Sequence, residues 1–237
     1  MPDVRSYRPE PDCRECRLGS LTVPCSSEDV RRLLSVDSES APTPVKPYRN
    51  SVVLGEGPVP CPVMLIGEAP GYHEDREGKP FRPQAPAGRV LQQCLEEVGL
   101  CRFLPERCSR HGGYVLFGRD SSGSIVNITC SPVYITNVVK CRPLDNKLDK
   151  FPDAVEVCRE RFLFPEVKVV KPKVIVALGA TAAVYWFGSA RNASRVLADG
   201  TTVIHAPHPS SIARGNVDGR ARLLYALREA KEIGYHR

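Results

Sequence analysis

Short apolar runs alternate with amphipathic stretches along most of this chain. Runs rich in Val, Ile and Leu, bounded by Pro, Gly or polar residues, are typical of buried strands. After the first run, Val90, Leu91, Leu95 and Val98 recur at helical spacing. The pattern predicts strands at 63–66, 133–136, 174–178 and 203–205. It predicts helices at about 87–98, 152–164 and 217–233, and a short helix after the third strand that ends near residue 185.

Continuous apolar strands that alternate with helices favour a parallel sheet covered on both faces. We therefore predict an α/β fold. It would be a single three-layer domain over residues 1–237, with a mostly parallel central sheet flanked by helices. Two stretches rich in Ser, Pro and Gly fit no element of this plan. We predict loop-rich insertions at about 26–60, with one short helix at 28–34, and at 101–132.

Composition adds modest constraints on partners and location. A net charge of +6 suits an anionic partner such as DNA, but many ordinary proteins are as basic. No apolar run approaches the roughly 18 residues that a membrane span needs, so we expect no membrane partner. The N-terminal residues have no apolar signal-peptide core. We expect a cytoplasmic monomer.

The chain contains ten cysteines, and a reducing cytosol would keep them from forming disulfides. Cys13 and Cys16 form a C-x-x-C pair, and Cys141 and Cys158 follow much later. Four thiolates from two distant segments could bind zinc or a [4Fe–4S] cluster, or could be simple buried thiols. A second group could bind zinc or belong to an irregular hairpin; it comprises Cys101, Cys108, His111 and Cys130.

Three polar motifs begin where predicted strands end. GEAPGYHEDREGKPF occupies 67–81, TNVVKCRP occupies 136–143, and HPSSIAR occupies 208–214. A turn at the end of a strand leaves backbone groups free at the carboxyl edge of the sheet, where open α/β sheets bind ligands. The motifs therefore predict a ligand pocket at this edge.

Together these motifs resemble those of the uracil-DNA glycosylase superfamily, specifically its iron–sulfur family 4, from about residue 12 to the C-terminus. The resemblance implies a monofunctional glycosylase that flips uracil out of DNA, hydrolyses its N-glycosidic bond and leaves an abasic site, as in base excision repair. It also implies a structural [4Fe–4S] cluster. Its ligands would be Cys13, Cys16, Cys141 and Cys158.

The resemblance implies a role for each base-binding residue. Phe81 would stack on the base, although a Phe here could be a core aromatic. Asn137 offers a donor and an acceptor that complement O4 and N3–H of uracil, although such residues often only cap turns. Glu74 would crowd C5 and reject the methyl group of thymine. Further base contacts are expected around Gly67, Glu68 and Ala69.

The resemblance also implies the catalytic groups. His208 would donate to uracil O2 and stabilise the charge that develops as the bond breaks, although a His before a Pro is often a turn residue. The best-known uracil glycosylases position the attacking water with an Asp where this chain has Ala69. Glu68 could orient the water instead, but a loop Glu is usually only solvated.

DNA contacts are expected from the loop after His208. An apolar side chain there would wedge into the minor groove, and Ile212 is the candidate. Arg214 would pair with phosphate. Ala213 is smaller than its counterpart in many relatives, which would weaken the wedge. The expected DNA-binding residues are Ser210, Ser211, Ile212 and Arg214.

Two other functions remain open. The segment 82–88 is slightly longer than in relatives, which would reshape one wall of the pocket and admit a different or bulkier modified pyrimidine. A non-enzymatic alternative is an iron–sulfur DNA-binding module that has lost catalysis. Retention of Glu74, Phe81, Asn137 and His208 favours uracil excision.

Overall fold

A computed structural model describes residues 13–20, 52–100, 102–103, 114–115, 117–119, 125–127, 132–143, 146–188 and 194–236. The strands, in chain order, are β1 (Val63–Gly67), β2 (Arg102–Phe103), β3 (Tyr114–Val115), β4 (Phe117–Arg119), β5 (Ile125–Asn127), β6 (Tyr134–Asn137), β7 (Val174–Leu178), β8 (Ser194–Val196) and β9 (Thr202–Ala206). The α-helices are α1 (Arg17–Ser20), α2 (Tyr72–Glu77), α3 (Pro86–Val98), α4 (Pro152–Cys158), α5 (Phe164–Val170), α6 (Ala180–Phe187), α7 (Pro209–Ala213) and α8 (Val217–Lys231).

The central sheet has five strands in the order β6-β1-β7-β9-β8. β6, β1, β7 and β9 are mutually parallel, and β8 runs antiparallel to β9 at the edge. The sheet, with helices packed on it, confirms the predicted α/β class. β8 was not predicted, because its residues are exposed along their whole length and form no apolar run.

Alternate residues of each buried strand face different helical layers. On β1, Val63 and Leu65 pack with α3 and α8, whereas Met64 and Ile66 pack with the helices after β6 and β7. Because side chains alternate along a strand, a continuous apolar run fills both faces of the sheet. The described chain thus forms three layers, with the central sheet in the middle.

α3 begins and ends as its sequence predicts. Pro86 occupies the first turn, where its missing N–H costs nothing, and Gly99 ends the helix at a φ of 68°. The buried stripe of this helix includes Leu91, Cys94, Leu95 and Val98. The stripe packs on β1 and β7, which fixes the start of α3 beside the carboxyl edge of the sheet.

The helix after β6 extends further than predicted. We expected it to end near residue 164, before Pro165, but α4 continues through a π-helical segment, Arg159–Leu163, into α5. The N–H of Phe164 bonds to the carbonyl of Arg159, and Pro165 lies in the first turn of α5. Pro165 therefore lies inside a continuous helix, and the π-helical segment before it changes the hydrogen-bond register where the missing N–H of proline interrupts the ladder.

The two predicted insertions are described only in part. Within 101–132, β2 pairs antiparallel with β3, and β4 pairs antiparallel with β5. The predicted helix at 28–34 lies outside the described residues, as do the candidate zinc ligands Cys101, Cys108, His111 and Cys130. Across the described part of the chain, no helix is long and apolar enough to span a membrane.

Candidate functional site

The carboxyl ends of β1 and β6 bring two of the predicted site residues together. Gly67 and Asn137 pair across the ladder as the last residues of their strands. The chain beyond Asn137 then bonds back to the first motif. Val138 N donates to Gly67 O and Val139 N to Glu68 O, both at 2.9 Å. The first and second motifs therefore form one rigid edge.

A cleft of about 540 Å³ lies at this edge. The turn after β1, the start of α3, the turn after β7 and the α7 segment all contribute to its walls. Among the predicted site residues, the cleft is lined by Glu68, Ala69, Glu74, His208, Ser210, Ser211 and Arg214. Asn137 and Phe81 do not line it, because they are almost fully buried, with 1% and 4% of their surface exposed.

Glu74 connects the cleft to these two buried residues. Its Oε2 accepts from the N–H of Gly71 at 2.8 Å, and its Oε1 accepts from the N–H of Phe81 at 2.6 Å. Asn137 Nδ2 also donates to Oε1, at 3.4 Å. Burial raises the pKa of the Glu74 carboxyl, and these hydrogen bonds oppose that rise. Both carboxylate oxygens are thus committed as acceptors.

The carboxamide of Asn137 is satisfied on one side only. Its NH₂ group faces Glu74, whereas Oδ1 is buried and, among the described residues, has no hydrogen-bond partner. A buried carbonyl oxygen without a donor costs free energy, so it calls for a ligand donor. A Cβ on Gly67 would clash with Oδ1 and lie 2.6 Å from Phe81 Cζ. The glycine at the end of β1 therefore makes room for both side chains.

Phe81 and His208 contact each other across the site. Phe81 has a φ of 48°, in the left-handed region, and its N–H is held by Glu74. The ring centroids of Phe81 and His208 lie 5.8 Å apart, with an angle of 36° between the planes. Two flat rings from two motifs thus face each other, and Phe81 also lies beside the buried amide of Asn137.

His208 is the N-cap of α7, and its ring is held by the helix that follows. Ser210 N donates to Nδ1 at 3.1 Å, and Ser210 Oγ lies 2.8 Å from the same nitrogen. Because Nδ1 accepts from a backbone N–H, the proton of the neutral ring must reside on Nε2. Burial, and secondarily the charge of Arg214, lower the pKa of His208 from 6.5 to about 4.

The turn after β7 contributes two residues that the sequence analysis did not select. Thr181 Oγ1 donates to Glu68 Oε2 at 2.5 Å and so fixes the carboxylate that lines the cleft. Gly179 has a φ of 93°, and a Cβ there would lie 2.9 Å from the Cβ of His208. Neither role could be inferred from local sequence, because Gly-Ala-Thr after a strand is a common way to begin a turn or helix.

The α7 segment presents its predicted DNA contacts unequally. Ser210 and Ser211 line the cleft, and Arg214 is exposed at its rim. Ile212 is half-buried and packs against the core layer formed with α8, while the neighbouring Ala213 is exposed. Of the two apolar side chains at 212 and 213, the exposed one is therefore the smaller.

The four predicted cluster cysteines are buried in one core region. Cys13, Cys16, Cys141 and Cys158 are each at most 5% exposed and belong to the same group of packed side chains. Burial raises the pKa of Cys16 to about 11; Gly19 N–H opposes this rise, and Cys158 and Cys13 add to it. In the described chain, no three potential ligands among His, Cys, Asp and Glu lie close enough to hold a metal ion.

α1 brings the N-terminal cysteines to the helix that carries Cys158. Arg17 N donates to Asp153 Oδ2 at 2.7 Å, and α1 packs on α4. The donor set of four buried thiols, from the N-terminal segment, the loop after β6 and α4, fits an iron–sulfur cluster in chemistry and burial.

Comparison with known proteins agrees with this geometry. The family model described as the uracil DNA glycosylase superfamily matches residues 54–230. The type-4 uracil-DNA glycosylase of Thermotoga maritima is 31% identical over 188 residues, which cover 76% of this chain and 81% of that protein. A type-4 uracil-DNA glycosylase of Pyrobaculum aerophilum is 32% identical over 65% of this chain and 63% of its own length. A type-5 uracil-DNA glycosylase of the same organism is 30% identical over 75% of this chain and 76% of its own length.

Proposed function

Because the chain belongs to the uracil-DNA glycosylase superfamily, we propose that it flips uracil out of DNA and hydrolyses its N-glycosidic bond. The product would be an abasic site, which makes this the first step of base excision repair. The observation that most supports the proposal is the carboxamide of Asn137, whose buried Oδ1 lacks a donor among the described residues.

Asn137 and Glu74 together account for recognition of uracil. A carboxylate only accepts hydrogen bonds, so Glu74 Oε1 requires the NH₂ group of Asn137 to face it. This orientation leaves Oδ1 to accept N3–H of uracil, and the second amide hydrogen can donate to O4. Cytosine has no hydrogen on N3 and carries a donor at position 4, so the same orientation disfavours it. Glu74 thus fixes the amide and, by the resemblance, also excludes thymine.

Glu74 is the link between the cleft and Asn137. It lines the cleft and bonds to Asn137, whereas Asn137 and Phe81 are buried behind the cleft walls. Binding is therefore expected to shift the side chains between the cleft and the amide, with Phe81 stacking on one face of the base. Extrusion of a base into a closed pocket of this kind selects by shape as well as by hydrogen bonds.

His208 supplies the electrostatic stabilisation in this proposal. A pKa of about 4 keeps the imidazole neutral at physiological pH, and the Ser210 N–H places its proton on Nε2. The neutral Nε2–H then donates to O2 of uracil, where negative charge develops as the glycosidic bond breaks. One well-placed donor of this type contributes about 2.7–4 kcal/mol to the transition state.

Glu68 is the proposed group that orients the attacking water. It lines the cleft, and Thr181 holds Oε2 from behind, so Oε1 can face the cleft. Ala69 leaves no other carboxylate at that position of the motif. The backbone of Gly67, Glu68 and Ala69 completes the contacts to the base.

DNA would be bound along the rim of the cleft. Ser210, Ser211 and the exposed Arg214 can contact phosphates flanking the flipped nucleotide. Ile212 is the proposed wedge, although its packing against the core means that it must rotate outward to enter the space left by the base.

A [4Fe–4S] cluster bound by Cys13, Cys16, Cys141 and Cys158 completes the proposal. The cluster would supply cross-linking rather than chemistry. It would tie the N-terminal segment and the loop after Asn137 to α4, since these three pieces contribute the thiols.

A second candidate function rests on the wall after Phe81. Ala85, Pro86 and Ala87 line the cleft, and their small side chains leave room beside the base. A pyrimidine with a bulky substituent could project along this wall. Excision of such a modified base, for example in defence against modified phage DNA, is the alternative to uracil repair.

The substitution Asn137→Asp tests the assigned amide role. Asp presents a second acceptor, which can pair with the exocyclic donor of cytosine. We therefore expect loss of uracil excision and gain of cytosine excision in labelled single-uracil and single-cytosine oligonucleotides. Asn146→Asp is the control, because it makes the same chemical change at an exposed position on the cleft. It should change neither uracil excision nor cytosine excision. Unchanged base preference in a folded Asn137→Asp protein would exclude Asn137 as the base-reading residue.

A further inference from the structure

Lys140 is a cation buried beside the proposed base-reading residue. It is 0% exposed and lies between Asn137, which ends β6, and Cys141. No part of the proposed chemistry uses it, and long charged side chains are almost never fully buried unless they are paired. Its position therefore requires a specific explanation.

All three ammonium hydrogens of Lys140 have partners. Nζ donates to Thr136 Oγ1 at 2.6 Å, to the carbonyl of Asn137 at 2.7 Å and to Glu166 Oε2 at 2.6 Å. These short, charge-assisted bonds saturate the donor capacity of the ammonium group. Two of the acceptors belong to the last residues of β6.

Glu166, on α5, anchors the cation from the other side. It is 4% exposed; its Oε1 accepts from the N–H of Gly55 at 3.0 Å, and its Oε2 accepts from Thr136 Oγ1 at 2.9 Å. The ion pair thus joins the segment before β1, the end of β6 and α5. Desolvation costs offset much of the attraction in buried pairs, so stability alone is a weak reason to keep one.

The peptide group between Asn137 and Val138 is fixed at both of its polar atoms. Lys140 Nζ holds the carbonyl, and Gly67 O holds the N–H at 2.9 Å. Fixing this peptide plane fixes the ψ angle of Asn137 and limits the direction in which its Cα–Cβ bond points. The carboxamide is thereby aimed at the position where Glu74 meets it.

We propose that Lys140 is a positioning residue for base recognition, which acts by holding the backbone of Asn137 so that its carboxamide is preorganised for the base. The inference deepens the proposed function, because it rests on the role of Asn137 in binding uracil. Misplacement of a recognition group by about 1 Å can cost on the order of 10² in rate, so the loss of this clamp should be measurable.

The test uses a neutral double variant, because Lys140→Met alone would leave the Glu166 carboxylate buried and unpaired. In Lys140→Met with Glu166→Gln, the Gln can still accept from Gly55 N–H and can donate to Thr136 Oγ1. Thermal unfolding and the visible absorbance of the cluster report whether the variant is folded and loaded. Lys231→Met is the matched control, since Lys231 Nζ also donates to a backbone carbonyl, that of Val98, at 3.0 Å.

Single-turnover uracil excision is then measured for the wild type, the double variant, Asn137→Ala and the triple variant. We expect the double variant to lose roughly a factor of 10–10² in excision rate. Its binding to DNA with a base-free abasic analogue should be unchanged. In the Asn137→Ala background the same two substitutions should have no further effect, because Lys140 acts through Asn137.

Other outcomes separate the two proposals. Equal losses in both backgrounds, or a folded double variant with wild-type excision, would overturn the positioning role of Lys140. A wild-type protein that excises no uracil, or an Asn137→Ala variant that excises it normally, would instead contradict the proposed function on which this inference rests.

Discussion

At the scale of single residues, the proposed site works because each polar side chain is held on one side by the protein and left free on the other. Ser210 N–H occupies Nδ1 of His208, Glu74 occupies the NH₂ group of Asn137, and Thr181 occupies Oε2 of Glu68. The protein thereby determines which atom of each side chain is left to meet the substrate and in which direction that atom points. Such preorganisation avoids reorganisation during the reaction.

The substitution His208→Asn should slow the chemical step. An Asn retains a polar side chain but cannot place the Nε2–H donor at the same distance, so we expect kcat to fall by about 10²–10³. Binding of DNA that contains an abasic analogue should change little. Single-turnover kinetics check this prediction, and a variant with near wild-type kcat would remove His208 from the catalytic step.

The lowered pKa of His208 predicts a pH effect on stability. Between about 4 and 6.5 the histidine is protonated in the unfolded chain but neutral in the folded protein. The unfolded state binds more protons there, so the contribution of His208 to the free energy of unfolding rises with pH across this window. In urea unfolding, the free energy of unfolding of the wild type minus that of His208→Asn should increase from about pH 4 to pH 6.5. If the free energies of unfolding of the two proteins changed equally with pH, the lowered pKa of His208 would be contradicted.

The residue types of the site could be predicted from the sequence, whereas their pairings could not. Asn137 and His208 were identified from motifs that follow strands, and these motifs do lie at one edge of the sheet. The bonds from Glu74 to Asn137 and from Thr181 to Glu68 join residues 63 and 113 positions apart. Such contacts depend on how the loops pack, and no local pattern encodes them.

At the scale of elements, the ends of strands set the geometry. Gly67 ends β1 and leaves space for Asn137 at the end of β6. Gly179 follows β7 and leaves space for His208, the N-cap of α7. The strands were predictable because continuous apolar runs are buried on both faces. The π-helical segment after Cys158 was not, because its hydrogen-bond register leaves no periodic mark that distinguishes it from an α-helix.

The substitution Gly179→Ala should impair excision more than stability alone explains. Both Gly179 and Gly188 adopt positive φ, at 93° and 68°, so Ala is strained at either position. Only at Gly179 would the new Cβ meet a neighbour, the Cβ of His208 at 2.9 Å. We expect both variants to lose thermal stability, and Gly179→Ala to lose more, because its new Cβ also meets His208. Excision should fall only in Gly179→Ala, and equal excision in the two variants would contradict the account.

At the scale of the whole molecule, distant parts of the chain meet on one face of the sheet. α1 docks on α4, and the loop after β6 carries Cys141 into the same buried region. The resemblance to the iron–sulfur family implies this arrangement, because it assigns the cysteines of these segments to one cluster. The insertions could not be predicted in the same way, since Ser- and Pro-rich segments have no periodicity from which to infer packing.

The proposed cluster predicts a selective effect of cysteine substitutions. Cys141→Ser should abolish the visible iron–sulfur absorbance and lower the unfolding temperature, because three chain segments lose a shared anchor. Cys94→Ala is the control, since Cys94 is equally buried but lies in the opposite layer of the core. It should keep full iron content. Full iron content in Cys141→Ser would exclude this cysteine as a ligand.

The most direct test of the account is an excision assay on duplex and single-stranded oligonucleotides. Each would carry one uracil, thymine, hypoxanthine or bulky modified cytosine and would be treated with alkali after incubation with the iron-loaded protein. We predict strand cleavage at uracil and none at thymine. Cleavage only at the modified base would favour the second candidate function, and a folded, iron-loaded protein that cleaves no substrate would contradict a glycosylase activity.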